Sequence, residues 1–266
     1  MERIGLVAGG GVLPKEFIRS ARERGDEVIV FAAKDMASAE LNNLVKKIYW
    51  LDIGQYTQFM FLLLTNRIKR LAFLGKINKD VIFDKARYDE KSAKIMSRLK
   101  DKKDYSIMNE GAKRLGMIGV EVIDTTAYLA HLLPERGVLG KVLPDEQVKS
   151  DIEFGYDIAK KIAGMDIGQT IVVKDTSVVA VEAMEGTDPT IERASGIAGE
   201  GCVMVKVSRP HQDMRWDIPT VGPETMKRLT ENGYKALAIE SGKMYLLEKD
   251  EFLKLADAAG IAVVVL

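Results

Sequence analysis

Apolar positions in the first half of the chain fall into short runs separated by amphipathic stretches. Arg3–Ala8 reads as a strand, followed by Gly9-Gly10-Gly11 and a helix that opens at Leu13-Pro14 and runs to about Arg24. Gly25-Asp26 stops that helix and turns the chain into a second strand over Glu27–Ala33. Lys47–Leu51 and Arg70–Leu74 give two more strands, with a helical stretch over Ile53–Ile68 between them. Residues 85–115 hold two charged helical segments, and Val120–Ile123 is a strand leading into Asp124-Thr125-Thr126. Strands alternating with helices predict βαβ units and a parallel sheet, hence a Rossmann-like N-terminal domain over residues 1–133.

The pattern changes after a stretch dense in proline and glycine. Leu133-Pro134-Glu135-Arg136-Gly137 and Gly140-Lys141-Val142-Leu143-Pro144 predict a linker over residues 134–146. A helix over Asp145–Ala163 carries the apolar stripe Ile152, Ile158, Ala159 and Ile162. Gln169–Lys174 and Val178–Ala183 read as a strand pair, and Val203–Val207 as another strand. Helices over Glu224–Asn232 and Glu248–Ala259 then alternate with strands over Ala236–Ile239, Met244–Leu247 and Ala262–Val265. The expectation for residues 147–266 is an α+β domain with mixed strands, so the chain as a whole is α/β.

Length agrees with two modest domains: 266 residues against roughly 150 per domain. Lys+Arg and Asp+Glu are both 39, which argues against a dedicated nucleic-acid binder. The balance is uneven along the chain: residues 1–133 hold 23 basic and 17 acidic side chains, and 134–266 hold 16 and 22. A basic half suits phosphates and an acidic half suits a metal, although solvated helix faces account for the same asymmetry. One cysteine, Cys202, excludes an intramolecular disulfide framework, and two histidines exclude a His-rich binuclear phosphoesterase centre. No leader pattern follows Met1, and the longest purely apolar runs, such as Phe59–Leu64, are far short of the roughly 20 residues a spanning helix needs. These features predict a cytoplasmic protein that does not cross a membrane.

Three places carry candidate chemistry. A strand, a glycine turn and a helix N-terminus form a phosphate site when backbone N–H groups point outward. Gly9, Gly10, Gly11, Leu13 and Pro14 supply those parts, but neither the dinucleotide fingerprint nor a P-loop is present. A tight turn that simply needs glycine is the alternative. Gly75-Lys76 and Thr125 follow other strands and are candidate rim residues by the same rule for open sheets. In the second half, Glu182-Ala-Met-Glu185-Gly186-Thr187-Asp188 ends a strand with unusual polarity, and Thr187 or Asp188 is expected to cap the next helix. Third, if residues 213–217 are extended, Asp213, Arg215 and Asp217 share one face, a row suited to Mg²⁺ and phosphoryl oxygens or to a structural ion-pair ladder.

In order along the chain stand Gly5-Leu-Val-Ala-Gly9-Gly-Gly11-x-Leu13-Pro14, Leu139-Gly-Lys-Val142, Gly168-Gln-Thr-Ile-Val-Val-Lys174, Val181-Glu-Ala-Met-Glu-Gly-Thr-Asp188, Arg193, and Arg209-Pro-x-Gln212-Asp213-x-Arg215-x-Asp217-x-Pro219-x-x-Gly222. With these motifs nearly the whole chain resembles the LpxI-type UDP-2,3-diacylglucosamine pyrophosphatases of lipid A biosynthesis. The resemblance implies two domains holding the substrate between them, and a divalent cation such as Mg²⁺. It implies hydrolysis to UMP and 2,3-diacylglucosamine 1-phosphate by water attack on the sugar-side phosphorus. Asp213, Asp217, Asp188 and Glu182 would then bind metal, with Asp213 and Asp217 also orienting water. Arg215 and Lys206 would offset charge on the phosphoryl oxygens, and the glycine loop, Thr187 and Gln212 would contact substrate. Peripheral contact of the helices at 85–115 with the inner-membrane face and a homodimer are further expectations. A nucleotide-dependent oxidoreductase, a non-catalytic UDP-sugar sensor and a phosphohydrolase of soluble nucleotide sugars remain open alternatives.

Overall fold

Strand β1 (Arg3–Ala8) is the centre of a parallel sheet, pairing with β2 (Glu27–Ala33) on one side and β4 (Arg70–Leu74) on the other. β3 (Lys47–Leu51) extends it beyond β2, and β5 (Glu121–Val122) beyond β4, giving the order β3-β2-β1-β4-β5. These coordinates are a computed structural model that describes residues 2–77, 88–98, 104–216 and 218–266. The chain divides into two compact units, Met1–Leu129 with Met214–Asp217, and Ala130–Asp213 with Ile218–Leu266.

In the first unit the strands are apolar almost throughout because the sheet is covered on both faces; six of the seven β2 residues are buried. Helix α1 (Leu13–Glu23) buries Pro14, Phe17, Ile18 and Ala21, the positions its helical period puts on one side. Proline falls in its first turn, where no intrahelical N–H is needed. Helix α2 (Tyr56–Thr65) adds Leu63 to a cluster with Phe31, Ile68, Leu71, Val122 and Trp216. The charged segments expected at 85–115 are α3 (Glu90–Arg98) and α4 (Asp104–Met117), while residues 85–87 and 99–103 lie outside the described residues. The short helix α5 (Thr126–Leu129) closes the unit.

The second unit has a mixed sheet in the order β6-β13-β11-β9-β7-β8. Its strands are β6 (Gly137–Leu139), β7 (Thr170–Lys174), β8 (Ser177–Val181), β9 (Val203–Lys206), β11 (Ala236–Ile239) and β13 (Ala262–Val265). β9, β11 and β13 run parallel, and β6, β7 and β8 are antiparallel to their neighbours. Alternation sorts the side chains. Ile171, Val173, Val203, Val205, Ala236 and Ala238 meet Val148, Ile152 and Ala159 of α6 (Glu146–Gly164). Val172, Met204, Leu237 and Val263 meet α7 (Thr187–Ala198), α8 (Pro223–Glu231) and α9 (Lys249–Ala259) through Ile191, Met226, Leu229 and Phe252. Each such large apolar side chain contributes roughly 1.5–3 kcal/mol on full burial. A two-residue pair, β10 (Thr220–Val221) with β12 (Tyr245–Leu246), lies outside the main sheet.

Two local expectations are corrected. Within the stretch read as linker, Gly137–Leu139 is a strand paired with β13, so proline and glycine mark the loops around it. Neither Thr187 nor Asp188 caps α7. The cap position is Gly186 at φ 84°, a left-handed angle that glycine adopts without steric cost, and Thr187 is already the first helical residue. Among the described residues no helix is long and apolar enough to cross a membrane.

Candidate active site

At one end of the second unit's sheet, three expected site residues meet. Lys206 is the last residue of β9, Glu182 follows β8, and Thr187 opens α7. The Lys206 Nζ donates to Thr187 Oγ1 at 2.7 Å, and that hydroxyl donates to Glu182 Oε1 at 2.9 Å. The second Glu182 oxygen accepts from the Gln169 backbone N–H at 3.2 Å. Antiparallel register makes this convergence unavoidable: Thr170, at the start of β7, faces Lys206, and the Glu182 N–H bonds the Thr170 carbonyl at 2.9 Å. Gly168 permits it, since a Cβ there would stand 1.9 Å from the Glu182 carbonyl oxygen. Lys206 is only 9% exposed, and Thr170 is fully buried with its Oγ1 lacking a hydrogen-bond partner, as does the buried Gln169 Nε2. Buried polar atoms of this kind call for an ordered water or a bound group.

The loop after Glu182 is fixed by its own charges. Arg193 donates to Glu185 at 2.7 Å and to the Val181 carbonyl at 2.9 Å, while Glu185 accepts from the Ala183 N–H at 3.1 Å. Asp188, expected beside Glu182 as a metal ligand, instead lies in an exposed pair with Arg228 at 3.3 Å, which also holds Glu192. The segment after β9 is anchored by Glu240, directly after β11. It accepts from the Ser208 N–H at 2.8 Å, from Ser208 Oγ at 2.7 Å and from Lys160 Nζ at 3.0 and 3.1 Å. Burial pushes the Glu240 carboxyl up, but the Ser208 and Lys160 bonds outweigh it and hold the group below its ordinary value. Arg209 pairs with Asp166 at 2.8 Å, and the Gln212 N–H bonds the Arg209 carbonyl at 3.1 Å. Sequence reasoning missed Glu240, Lys160 and Thr170. Glu240 was findable, because it follows the apolar run Ala236–Ile239 at the carboxyl end of a parallel strand.

Within the expected row, Met214–Trp216 is not an extended strand. Met214 and Arg215 form a turn that delivers Trp216 into the first unit's core, edge-on to Phe73 at 5.1 Å between ring centroids. Burying the indole wins over alternation. Asp213 and Gln212 are half-buried, and the Arg215 guanidinium lies 5.5 Å from the Trp216 ring. Asp217 lies outside the described residues. Among the described residues no three His, Cys, Asp or Glu side chains converge as a metal cage.

In the first unit the sheet order reverses at β1 and β4, and the loops after these strands touch. The Gly9 N–H bonds the Leu74 carbonyl at 2.8 Å, and Gly10 and Lys76 exchange backbone bonds of 2.9 Å each way. A Cβ on Gly9 would fall 2.5 Å from the Lys76 carbonyl oxygen, and Gly75, at φ 97°, would meet Gly10 at 2.7 Å. Gly9, Gly10 and Gly75 are therefore explained by close backbone approach. Gly11, exposed at φ 93° before α1, has open space beside it. Lys76 is exposed, Leu13 is half-buried, Pro14 is buried in the first turn of α1, and Thr125 is buried just before α5.

Residues 3–132 match the family model of the LpxI N-terminal domain, and residues 135–264 that of the LpxI C-terminal domain. The chain belongs to the LpxI family. A UDP-2,3-diacylglucosamine pyrophosphatase LpxI of Caulobacter vibrioides is 27% identical over 274 residues, covering 99% of this chain and 97% of that one. Solved structures give weaker likenesses. A bicarbonate-bound biotin carboxylase domain of thermophilic 2-oxoglutarate carboxylase is 12% identical, over 86% of this chain and 39% of that one, at a TM-score of 0.29. The N5-carboxyaminoimidazole ribonucleotide synthetase of Thermotoga maritima is 16% identical, over 65% and 38%, at 0.25. This chain thus spans about two fifths of those structures. Within the LpxI C-terminal domain region lie Glu182, Thr187, Lys206 and Glu240, and within the N-terminal one the glycine loop and Gly75-Lys76.

Proposed function

We propose that this chain hydrolyses the pyrophosphate bond of UDP-2,3-diacylglucosamine, releasing UMP and 2,3-diacylglucosamine 1-phosphate, a step of lipid A biosynthesis. The observation that carries the reading onto this chain is the Lys206–Thr187–Glu182 chain, which fixes a buried cation at the carboxyl end of β9. Water attacks the sugar-side phosphorus, and the bond from that phosphorus to the bridging oxygen breaks. The bridging oxygen leaves with UMP, and the water oxygen stays on the sugar phosphate. Lys206 and Arg215 offset charge on the phosphoryl oxygens, where such catalysis gains most. Glu182 and Thr187 keep the Lys206 ammonium aimed, so little reorganisation accompanies the reaction. Asp213 and Asp217 orient the water and its proton, Gln212 contacts substrate, and the loop of Gly9–Gly11 binds part of the nucleotide.

A divalent cation such as Mg²⁺ supplies charge neutralisation when bound. Mg²⁺ is usually held by one or two carboxylates with substrate phosphates completing the shell, so a preformed cage is not needed. Asp213 and Asp217 are the proposed protein donors. The acyl chains need apolar cover, and Met165, Ile167 and Met184 are exposed on the two loops that meet at Gly168 and Glu182.

The test is a product assay with UDP-2,3-diacylglucosamine in oxygen-18 water, with Mg²⁺ and separately with EDTA. The expected outcome is UMP release that EDTA abolishes, with the label in the sugar phosphate and none in UMP. Label in UMP would overturn the site of attack, and undiminished turnover in EDTA would remove the metal. Substrate that binds without turnover would replace this reading by that of a UDP-sugar sensor.

A further inference from the structure

Thr170 opens β7 fully buried, and its Oγ1 has no hydrogen-bond partner among the described residues. Its neighbours are nevertheless polar, and register decides which they are. Thr170 stands opposite Lys206 of β9, and the Val207 N–H bonds the Gln169 carbonyl at 2.8 Å. Thr170 and Lys206 are therefore a pair without mutual backbone bonds, the kind in which side chains come closest, with Cβ atoms about 4.5–5.5 Å apart. On the other side the Glu182 N–H bonds the Thr170 carbonyl, which carries the β8 register past Val181. Two residues along these strands, Val172, Ala180 and Met204 share the cluster that packs on α7. Alternation puts Glu182, Thr170 and Lys206 side by side on that same face.

Thr187 of α7 spans this row, bonded to Lys206 at 2.7 Å and to Glu182 at 2.9 Å. Burial deepens inward: Glu182 and Thr187 are half-buried, Lys206 is buried, and Thr170 has 0% exposure. Thr170 is thus the floor beneath the Lys206–Thr187–Glu182 chain, and its hydroxyl bonds none of the three.

What can meet that hydroxyl is narrowly set. A phosphoryl group does not reach a residue so buried, and Glu182 repels an anion as Lys206 repels a cation. A water molecule is neutral, has one heavy atom, and both donates and accepts. Glu182 can take it, since a carboxylate accepts at about four positions and the Thr187 hydroxyl and Gln169 N–H use two. We propose that Thr170 seats an ordered water that bridges its hydroxyl to the Glu182 carboxylate and the Lys206 ammonium, and that Thr170 is thereby a positioning residue for Lys206. Thr187 ties the two charged groups on one side, and the water ties them on the other. The kinetic part of the inference rests on the proposed function, and the water seat rests on the geometry alone.

The experiment joins a high-resolution crystal structure of the ligand-free full-length protein to urea unfolding and steady-state UMP release, in wild type, T170V and T170S. Valine keeps the shape of threonine and removes the hydroxyl, whereas serine keeps the hydroxyl. T170A takes the place of T170V in the crystal and kinetic arms if the valine variant does not fold. A water is expected within about 3.2 Å of Thr170 Oγ1 and of a Glu182 carboxylate oxygen in wild type, kept in T170S and lost in T170V. T170V is expected to lower kcat roughly fivefold or more with KM within about threefold of wild type, and T170S to recover at least half of that loss on a logarithmic scale. The urea midpoint is expected to fall in T170V, because the water loses a partner. A hydroxyl that seats no water gives an equal or higher midpoint, because valine then removes an unsatisfied group. No water at Thr170 Oγ1 in wild type would overturn the inference, as would wild-type kcat in T170V or a loss that falls wholly on KM. If the wild type itself releases no UMP, the functional reading fails, and the crystal and the midpoint then decide the seat. A water at Thr170 Oγ1 with a lowered midpoint in T170V upholds it, and the lack of either overturns it.

Discussion

Thr187 shows how much a single hydroxyl is asked to do. It accepts from Lys206 and donates to Glu182, so one rotamer satisfies a cation and an anion at once. Thr187→Val keeps the shape and removes both bonds. In the proposed reaction it is expected to lower kcat by roughly tenfold or more, about 1.4 kcal/mol of barrier or above, with Thr187→Ser close to wild type. Steady-state UMP release checks this, and an unchanged kcat in the valine variant would detach Thr187 from the chemistry. The polarity of Glu182-Ala-Met-Glu-Gly-Thr-Asp was visible in the sequence. Which of its acids turns toward Lys206 was not: Asp188 is one residue from Thr187 but points to Arg228 because helical geometry rotates neighbours by about 100°.

At the scale of elements, α6 shows how a helix is matched to its sheet. Gly155 sits where a Cβ would stand 2.8 Å from Val205 Cγ2 and 3.0 Å from Val173 Cγ2. The helix lies this close to β7 and β9 only because that position lacks a side chain. Gly155→Val is expected to destabilise the fold by about 1–3 kcal/mol through overpacking, read as a lower urea midpoint. A midpoint equal to wild type would show that the helix can lift without cost. The same helix buries Asp151, which accepts the N–H groups of Asp175 and Thr176 at 3.3 and 2.6 Å. Those two residues form the β7–β8 turn with φ of 50° and 54°, the left-handed pair a two-residue hairpin requires. Amphipathic periodicity placed Ile152 and Ala159 of α6 in the core, whereas Ile158 and Ile162 of the expected stripe are only half-buried. It could not show that an acid on that helix would be buried, because the hairpin N–H groups that stabilise it lie 24 and 25 positions away.

For the whole molecule, formal net charge is zero at neutral pH, so acid stability is decided by individual carboxylates. Asp26 is held below its ordinary value first by the Glu2 N–H and then by Tyr128 against burial. Asp89 and Glu240 are raised by burial but lowered further by bonds, to the Thr57 and Ser92 N–H groups and to Ser208 and Lys160. Each folded pKa lies below the unfolded one, so the stabilisation is complete above the unfolded carboxylate range near pH 4. It is lost as pH falls through the folded values. Urea unfolding is expected to give a midpoint that is flat from pH 7 to about 5 and drops below about 4, less steeply in Asp89→Asn. Equal midpoints at pH 7 and pH 3 would contradict this.

What the chain determined by itself was local. Runs such as Glu27–Ala33 and Ala236–Ile239 are apolar enough to be strands wherever they pack, and Gly25, Gly233 and Gly260 end helices by their own left-handed backbone. Tertiary structure decided the rest. Gly137–Leu139 is too short to show alternation and is a strand only because β13 offers it an edge. Trp216 bends its segment because burial in the first unit's apolar cluster outweighs an extended backbone. Glu240 meets Lys160 across 80 positions of chain, and a partner so distant leaves no periodic trace in the sequence.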